Sequence, residues 1–153
     1  MTDSIKAVVM IGLIILVLIA VTLLITVCLV RYRRHRRASA VDGMEGHDFE
    51  YFCAQLLEKY GFLEVEVTRG SGDFGVDILA EKDGVSYAIQ CKHYHSPVGV
   101  EAVLKTYGGK AYYERMVGVV MTNQYFTAPA VEAARKLQIL LWDRGYLDSM
   151  MEE

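Results

Sequence analysis

The stretch that decides the fold runs from Gly72 to Tyr94, GDFGVDILAEKDGVSYAIQCKHY. Two strand-like runs flank Asp83-Gly84, a dipeptide that accepts the positive φ angles of a two-residue hairpin turn. With that turn Lys82 pairs with Val85, and counting back along both strands sets Asp77 opposite Gln90. Side chains alternate along a strand, so Asp77, Leu79 and Glu81 share a face with Ser86, Ala88, Gln90 and Lys92. Val76, Ile78 and Ala80 share the other face with Val85, Tyr87, Ile89 and Cys91. A slip of one residue would mix the polar and apolar sets, so the hydrophobic pattern selects the same register as the turn does.

Asp77, Gln90 and Lys92 therefore converge. A carboxylate and an amide oxygen are hard ligands suited to Mg²⁺. A neighbouring ammonium can orient a water and stabilise charge that grows on a phosphate. The same residue types also suit an exposed Asp–Lys pair on a plain hairpin, which is worth little energetically. From the hairpin by itself the two readings are balanced.

Outward from the hairpin, the pattern is mixed α/β. A helix is expected from Glu45 to Tyr60, with Phe49, Phe52, Cys53, Leu56, Leu57 and Tyr60 on its buried face and Gly61 as its stop. GFLEVEVTR alternates and reads as a strand over 63–69. GSGDFG, with Gly70, Gly72 and Gly75, reads as a turn, because it lacks the Lys-Ser/Thr ending of a phosphate loop. A second helix is expected from Val100 to Tyr113, burying Val103, Leu104, Tyr107 and Ala111. MVGVVMTN near 116–123 reads as a buried strand, Thr127 and Pro129 open a third helix, and QILLWD at 138–143 is the last strand. The predicted fold class is α/β, a mixed central sheet flanked by helices.

The N-terminal side differs in kind. Residues 7–30, AVVMIGLIILVLIAVTLLITVCLV, contain no charge in 24 positions. As a helix they would span about 36 Å, enough for a hydrocarbon layer of about 30 Å with some tilt. A signal peptide has a shorter apolar region with its basic residues in front, whereas here RYRRHRR follows. Arg31, Arg33, Arg34, Arg36 and Arg37 against Lys6 alone put residues 31–153 in the cytoplasm, under the positive-inside bias. The expected organisation is an extracytoplasmic 1–6, a transmembrane helix at 7–30, a basic linker at 31–42, a domain at 43–148 and a tail at 149–153. Residues 7–37 would contact membrane lipid, including anionic headgroups.

From Ala38 onward ten Lys and Arg face eighteen Asp and Glu, a net charge of −8. That balance argues against broad electrostatic binding of a polyanion, so any nucleic-acid contact must be local or metal-assisted. Cys28, Cys53 and Cys91 lack zinc-site spacing and read as reduced thiols.

GHDFE before a helix, then GDFGVDILA, YAIQCKHY, VGVVMTNQYFTAPAVEAARK and ILLWDRGYL, in that order over about Gly43 to Leu147, resemble the Mrr-like restriction endonuclease family. That family belongs to the PD-(D/E)xK nuclease superfamily and carries a Gln-x-Lys variant of its motif. The resemblance implies a restriction-endonuclease-like fold and a metal-dependent endonuclease using Mg²⁺, with Mn²⁺ as a substitute. It makes Asp77 the metal-binding aspartate, Gln90 the residue at the second ligand position and Lys92 the catalytic lysine. Glu50, otherwise an ordinary boundary residue of its helix, becomes the supporting glutamate, and the Cys91 backbone carbonyl completes the metal shell. Double-stranded DNA is the implied substrate, and cutting both strands suggests a homodimer. Family members usually carry a separate DNA-recognition domain, where this chain has an anchor and a linker. The alternative function is a non-enzymatic membrane scaffold that keeps the nuclease fold, and an RNA nuclease also fits these residues. Lys105, Gly109 and Lys110 are candidate phosphate contacts, and His93 and His95 are exposed edge residues with DNA or a second metal as the other reading. Thr122, Asn123 and Gln124 end a strand on the presumed site side, and Trp142 fills core.

Overall fold

The computed structural model describes residues 2–68 and 74–152, with the side chains of residues 2–7, 9 and 33–40 outside that description. Gly70 and Gly72 of the expected turn, and the side chains of Arg33, Arg34, Arg36 and Arg37, thus lie outside the described residues. The chain divides into two compact units, residues 1–39 and 40–153.

Helix α1 covers Thr2–Asp42. Its stretch Met10–Tyr32 is long and apolar enough to cross a membrane, and its large apolar side chains are exposed. The Thr22 and Thr26 hydroxyls donate to the carbonyls of Ile19 and Leu23, so neither needs a partner outside the helix. Residues 31–42, read from the sequence as a basic linker, are helical; Arg and Ala are good helix formers and no Pro interrupts them.

The second unit is built on one five-stranded sheet in the order β1-β2-β3-β4-β5. The strands are β1 (Leu63–Val67), β2 (Ile78–Lys82), β3 (Val85–Lys92), β4 (Val117–Thr122) and β5 (Ile139–Trp142). β1, β2 and β3 are antiparallel, whereas β3, β4 and β5 run parallel. Parallel neighbours require crossovers, and α3 (Val100–Tyr112) and α4 (Ala128–Leu137) supply them. α2 (Gly46–Lys59) precedes the sheet and α5 (Arg144–Glu152) follows it.

One face of the sheet packs Ile78, Ala80, Ile89, Cys91, Val119 and Met121 against Phe49, Cys53, Leu56 and Leu57 of α2 and Leu147 and Met150 of α5. Each fully buried large side chain here contributes about 1.5–3 kcal/mol. The other face packs against α3 and α4 through Val98, Val103, Val120, Ala130 and Ala134. Trp142 sits in the first core, as expected.

The hairpin register is the expected one from Lys82↔Val85 to Ile78↔Ile89, and Asp83 and Gly84 both have positive φ. Beyond Ile78 it departs. Phe74 and Gly75 also have positive φ, and Val76 packs with Leu79 and Ala88 rather than on the face of Ile78. The expected solvent face is also covered: Leu79, Ala88 and Gln90 are buried. α3 covers them with a different stripe from the one periodicity suggests. It buries Ala102, Val103, Thr106 and Gly109, and leaves Leu104 and Tyr107 exposed. Small residues win because the backbones approach closely: a Cβ on Gly109 would lie 2.5 Å from Val76 Cγ2 and 2.6 Å from the Phe74 carbonyl oxygen. Gly109 is therefore a packing residue rather than a phosphate contact.

α5 replaces the tail read over 149–153. Asp143 caps it, its Oδ1 accepting from the Tyr146 N–H at 3.1 Å. Arg144 in its first turn holds the last residue of α1: Nη1 lies 2.7 Å from Asp42 Oδ1, while Nε donates to Asp148 at 3.0 Å. Burial alone would raise the Asp42 pKa, but the Arg144 guanidinium and the Asn123 amide outweigh it and lower the carboxyl below its ordinary value.

Two outcomes follow from this packing. Gly109→Ala should destabilise the chain by about 1–3 kcal/mol through overpacking, whereas Gly108→Ala, with nothing within 4 Å of its Cβ, should be neutral or stabilising by up to about 1 kcal/mol. Urea unfolding in detergent micelles compares them; equal effects would refute the close approach. Because the Asp42 pKa is depressed on folding, its contribution is complete above the ordinary aspartate value of about 3.9 and is lost as pH falls through the folded pKa. Asp42→Asn should therefore lower stability at pH 7 and narrow its gap to the parent chain as pH falls below about 4.

Candidate active site

β3 carries the site. Gln90 and Lys92 lie at its C-terminal end, and the chain entering β2 brings Asp77 beside them. The Asp77 N–H donates to the Ile89 carbonyl at 2.8 Å, and Asp77 Oδ2 accepts the Cys91 N–H at 2.7 Å. In an unbroken ladder that Cys91 N–H would go to the Val76 carbonyl. Here the Val76 carbonyl accepts from the Thr68 hydroxyl instead, at 2.7 Å. Asp77 thus stands at the end of the ladder with its carboxylate turned to the backbone of the strand that bears Gln90 and Lys92.

A cavity of about 410 Å³ opens here, lined by Phe74, Gly75, Asp77, Gln90, Lys92 and Lys105. The structure therefore brings Asp77, Gln90 and Lys92 together and adds Lys105 from α3. Gly75 permits that closeness: its φ is +77°, and a Cβ there would lie 2.8 Å from Lys105 Cβ and 3.1 Å from Gln90 Nε2. Lys105 also pairs with Glu101 at 2.9 Å, and Lys105 chiefly, with Lys92, holds the Glu101 carboxyl below its usual range.

Glu50 stands outside the cavity lining, in α2, within 3.0 Å of His47 Nδ1. Its charge still reaches Cys91, whose thiol pKa lies well above the ordinary range. The causes are its hydrogen bond with Cys53, then burial, then the charges around it, Asp77 and Glu50 among them. Cys53 and Cys91 are buried free thiols, as the sequence reading expects.

His93 is half-buried, against expectation: Nε2 lies 2.9 Å from the Val41 carbonyl, and the ring packs against Phe49. His95 is exposed. The Lys110 side chain packs near Gly118 and does not line the cavity. Thr122 donates to the Lys92 carbonyl at 2.6 Å, and Gln124 N–H donates back to its hydroxyl at 3.1 Å. Asn123 takes both backbone groups of Tyr94, at 2.9 and 3.0 Å. These residues fix the chain at the Lys92 carbonyl and at Tyr94 beyond it.

Among the described residues no three His, Cys, Asp or Glu side chains meet as a metal cluster. A cation at this wall would rely on Asp77, an amide oxygen from Gln90 and backbone oxygen such as that of Cys91, a hard donor set. Gln90 is 1% exposed, so its amide needs internal partners. Thr106 Oγ1, fully buried, lies 2.9 Å from the Ala102 carbonyl and 3.3 Å from Gln90 Oε1. A hydroxyl has one proton and cannot donate to both. With that proton on Ala102, the shorter bond, Thr106 is left with lone pairs that suit an N–H. Turning the Gln90 amide over supplies one from Nε2 and carries Oε1 to the Gly75 side, into the cavity. The residues present fit a hard divalent cation. Sequence reasoning missed Thr106 and Phe74. The available signal for Thr106 was a hydroxyl three residues after Val103 and four after Ala102, on the stripe of small residues.

Three solved structures share the fold. The protein of unknown function AF1548 aligns over 67% of this chain and 63% of its own, at 26% identity and a TM-score of 0.58. The DNA modification-dependent restriction endonuclease AspBHI aligns over 77% of this chain at 17% identity and a TM-score of 0.58. The MspJI restriction endonuclease, solved in complex with a 27-mer oligonucleotide, aligns over 78% at 22% identity and a TM-score of 0.55. The chain spans about a third of each restriction enzyme, 34% and 30% of their lengths. No curated protein matches it. Residues 41–151 match the family model for the Mrr-type catalytic domain, described as a restriction endonuclease, and the chain belongs to that family.

Proposed function

We propose that this chain is a membrane-anchored, Mg²⁺-dependent DNA endonuclease. The observation that carries the reading is the meeting of Asp77, Gln90 and Lys92 in one cavity of a nuclease-family domain. Asp77, the Gln90 amide oxygen and the Cys91 carbonyl would hold the cation, and Glu50, outside the lining, would add negative charge nearby. The cation, when bound, acidifies a water and offsets phosphate charge. Lys92 orients the attacking water and faces the charge that builds on the phosphate oxygens. The water oxygen bonds to phosphorus, the bond to the leaving sugar oxygen breaks, and that oxygen takes up a proton. Lys105, on the same wall, contacts a non-bridging phosphate oxygen.

The apolar stretch at 7–30 crosses the membrane with its N-terminus outside, and the basic flank after it keeps residues 31–153 in the cytoplasm. Cleavage of both strands of a duplex calls for two such sites, hence a homodimer.

The full chain in detergent micelles should nick plasmid DNA with Mg²⁺ or Mn²⁺ and lose that activity in EDTA. Asp77→Ala and Lys92→Ala should each reduce the rate by about 10²–10⁴-fold; unchanged rates in both would sink the assignment. Thr106→Val should weaken Mn²⁺ binding, followed by electron paramagnetic resonance, by roughly 10-fold or more. Thr106→Ser, which keeps the hydroxyl, should bind within about 3-fold of the parent chain. Equal affinity in the Val and Ser variants would show that Thr106 does not set the Gln90 amide.

A further inference from the structure

The cavity that holds Asp77, Gln90 and Lys92 has a smaller neighbour. A second cavity, of about 130 Å³, is lined by Tyr94, Val98, Gly99, Glu101 and Ala102 and shares Lys92 and Lys105 with the first. Two lysines thus line both cavities, with Phe74 lining the first and Tyr94 the second. Phe74 is 55% exposed and Tyr94 46% exposed, so neither ring is spent on the core.

Both rings sit on backbone that is held in place. Phe74 has φ +50°, a conformation that L residues seldom adopt and that clusters at ligand sites. Its carbonyl lies against α3 where Gly109 leaves room, and its ring stacks on Tyr112 with centroids 3.8 Å apart and planes 25° from parallel. The Tyr94 backbone is clamped at both its N–H and its carbonyl by Asn123.

The charge balance explains what such rings supply. The domain carries a net −8, so only local contacts can hold a polyanion. Stacking of bases on aromatic side chains adds affinity that does not depend on charge, on the order of tenfold per base. Bases inside a duplex are already stacked on each other and present only their edges. A ring face beside the scissile phosphate can be met only by an unpaired or extruded base.

Resting on the nuclease reading above, we propose that Phe74 and Tyr94 are stacking platforms for unpaired nucleobases on either side of the phosphate held near Lys92 and Lys105. Within its DNA substrate the strand engaged at the site is then unpaired, as in single-stranded DNA or the frayed and displaced strands of a duplex.

The test uses the full chain in detergent micelles with Mg²⁺ and the substitution Asp77→Asn, which keeps an acceptor for the Cys91 N–H while blocking cleavage. Fluorescence anisotropy follows a labelled single-stranded oligonucleotide and a blunt hairpin duplex of equal length at two salt concentrations. The single strand should bind more tightly. Adding Phe74→Leu or Tyr94→Leu should weaken single-strand binding by about tenfold and leave duplex binding within about twofold. The salt slope should not change, since no charge is removed. Phe74→Trp should retain the parent affinity. Single-strand binding unaffected in both leucine variants, or weakened equally for strand and duplex, would overturn the platform while leaving the nuclease reading intact. A parent chain that binds neither form and cuts no DNA before Asp77 is changed would remove the nuclease reading itself.

Discussion

The site depends on a single substitution of hydrogen-bond partners, a carboxylate where a ladder carbonyl belongs. Asp77 Oδ2 takes the Cys91 N–H at 2.7 Å, and that bond ends the β2–β3 pairing. A hydrogen bond to a charged group is worth about 1.5–3 kcal/mol, enough to hold a nearly buried carboxylate that would otherwise be costly to bury. With the Cys91 N–H satisfied by the side chain, the Val76 carbonyl is released to Thr68, and Val76 moves to the α3 side of the sheet. Phe74 and Gly75 then turn at positive φ, which brings Gly75 against Lys105 and Gln90. The cavity and its lining follow from that one exchange.

Much of the fold was legible because local rules and global packing agree. Asp83-Gly84 and the two-residue alternation both specify one register, and Thr127 with Pro129 marks the start of α4 where the structure has it. The failures share a cause. Periodicity rewards large apolar residues, so it put Leu104 and Tyr107 on the buried face of α3, whereas a close approach of backbones selects Ala102, Thr106 and Gly109. Alternation likewise assumes an unbroken strand, and it misplaced Val76 because the side chain of Asp77 interrupts the ladder. Of the candidate site, Asp77, Gln90 and Lys92 could be found by pairing two strands. Phe74 and Thr106 depend on a turn and a helix rotation that no local pattern encodes. α5 was missed although Asp143, a good N-cap residue, stands directly before it.

The chain leaving β3 is tied to the end of α1. Two residues past Lys92, Tyr94 is held by Asn123, whose amide also donates to Asp42 at 3.3 Å. Asp42 meets Arg144, and the Val41 carbonyl meets His93. Val41 and Asp42 therefore belong to the second unit's own packing, with Val41 buried in its core. That explains why the basic segment continues as a helix to Asp42: its final residues have tertiary partners, which sustain helix more strongly than propensity does.

An amide at position 90 has consequences that a carboxylate there would not. Two buried carboxylates on one wall would repel each other and raise one another's pKa. In a domain already at −8 they would also oppose an approaching phosphate. Gln90 removes one of those charges, which suits the proposed action of an acidic domain on a polyanion, at the expense of weaker attraction for a cation. It also introduces a problem of orientation, since a carboxylate offers oxygen at both ends and an amide at only one. Thr106 answers that problem. Its hydroxyl, with a single proton, lies closer to the Ala102 carbonyl, at 2.9 Å, than to Gln90 Oε1, at 3.3 Å, so an amide turned over would meet an acceptor there with its N–H end. The neutral amide on β3 and the hydroxyl on α3 thus form one unit, and a chain with Gln90 but no hydrogen-bonding partner at 106 would hold its amide oxygen toward the cavity only part of the time.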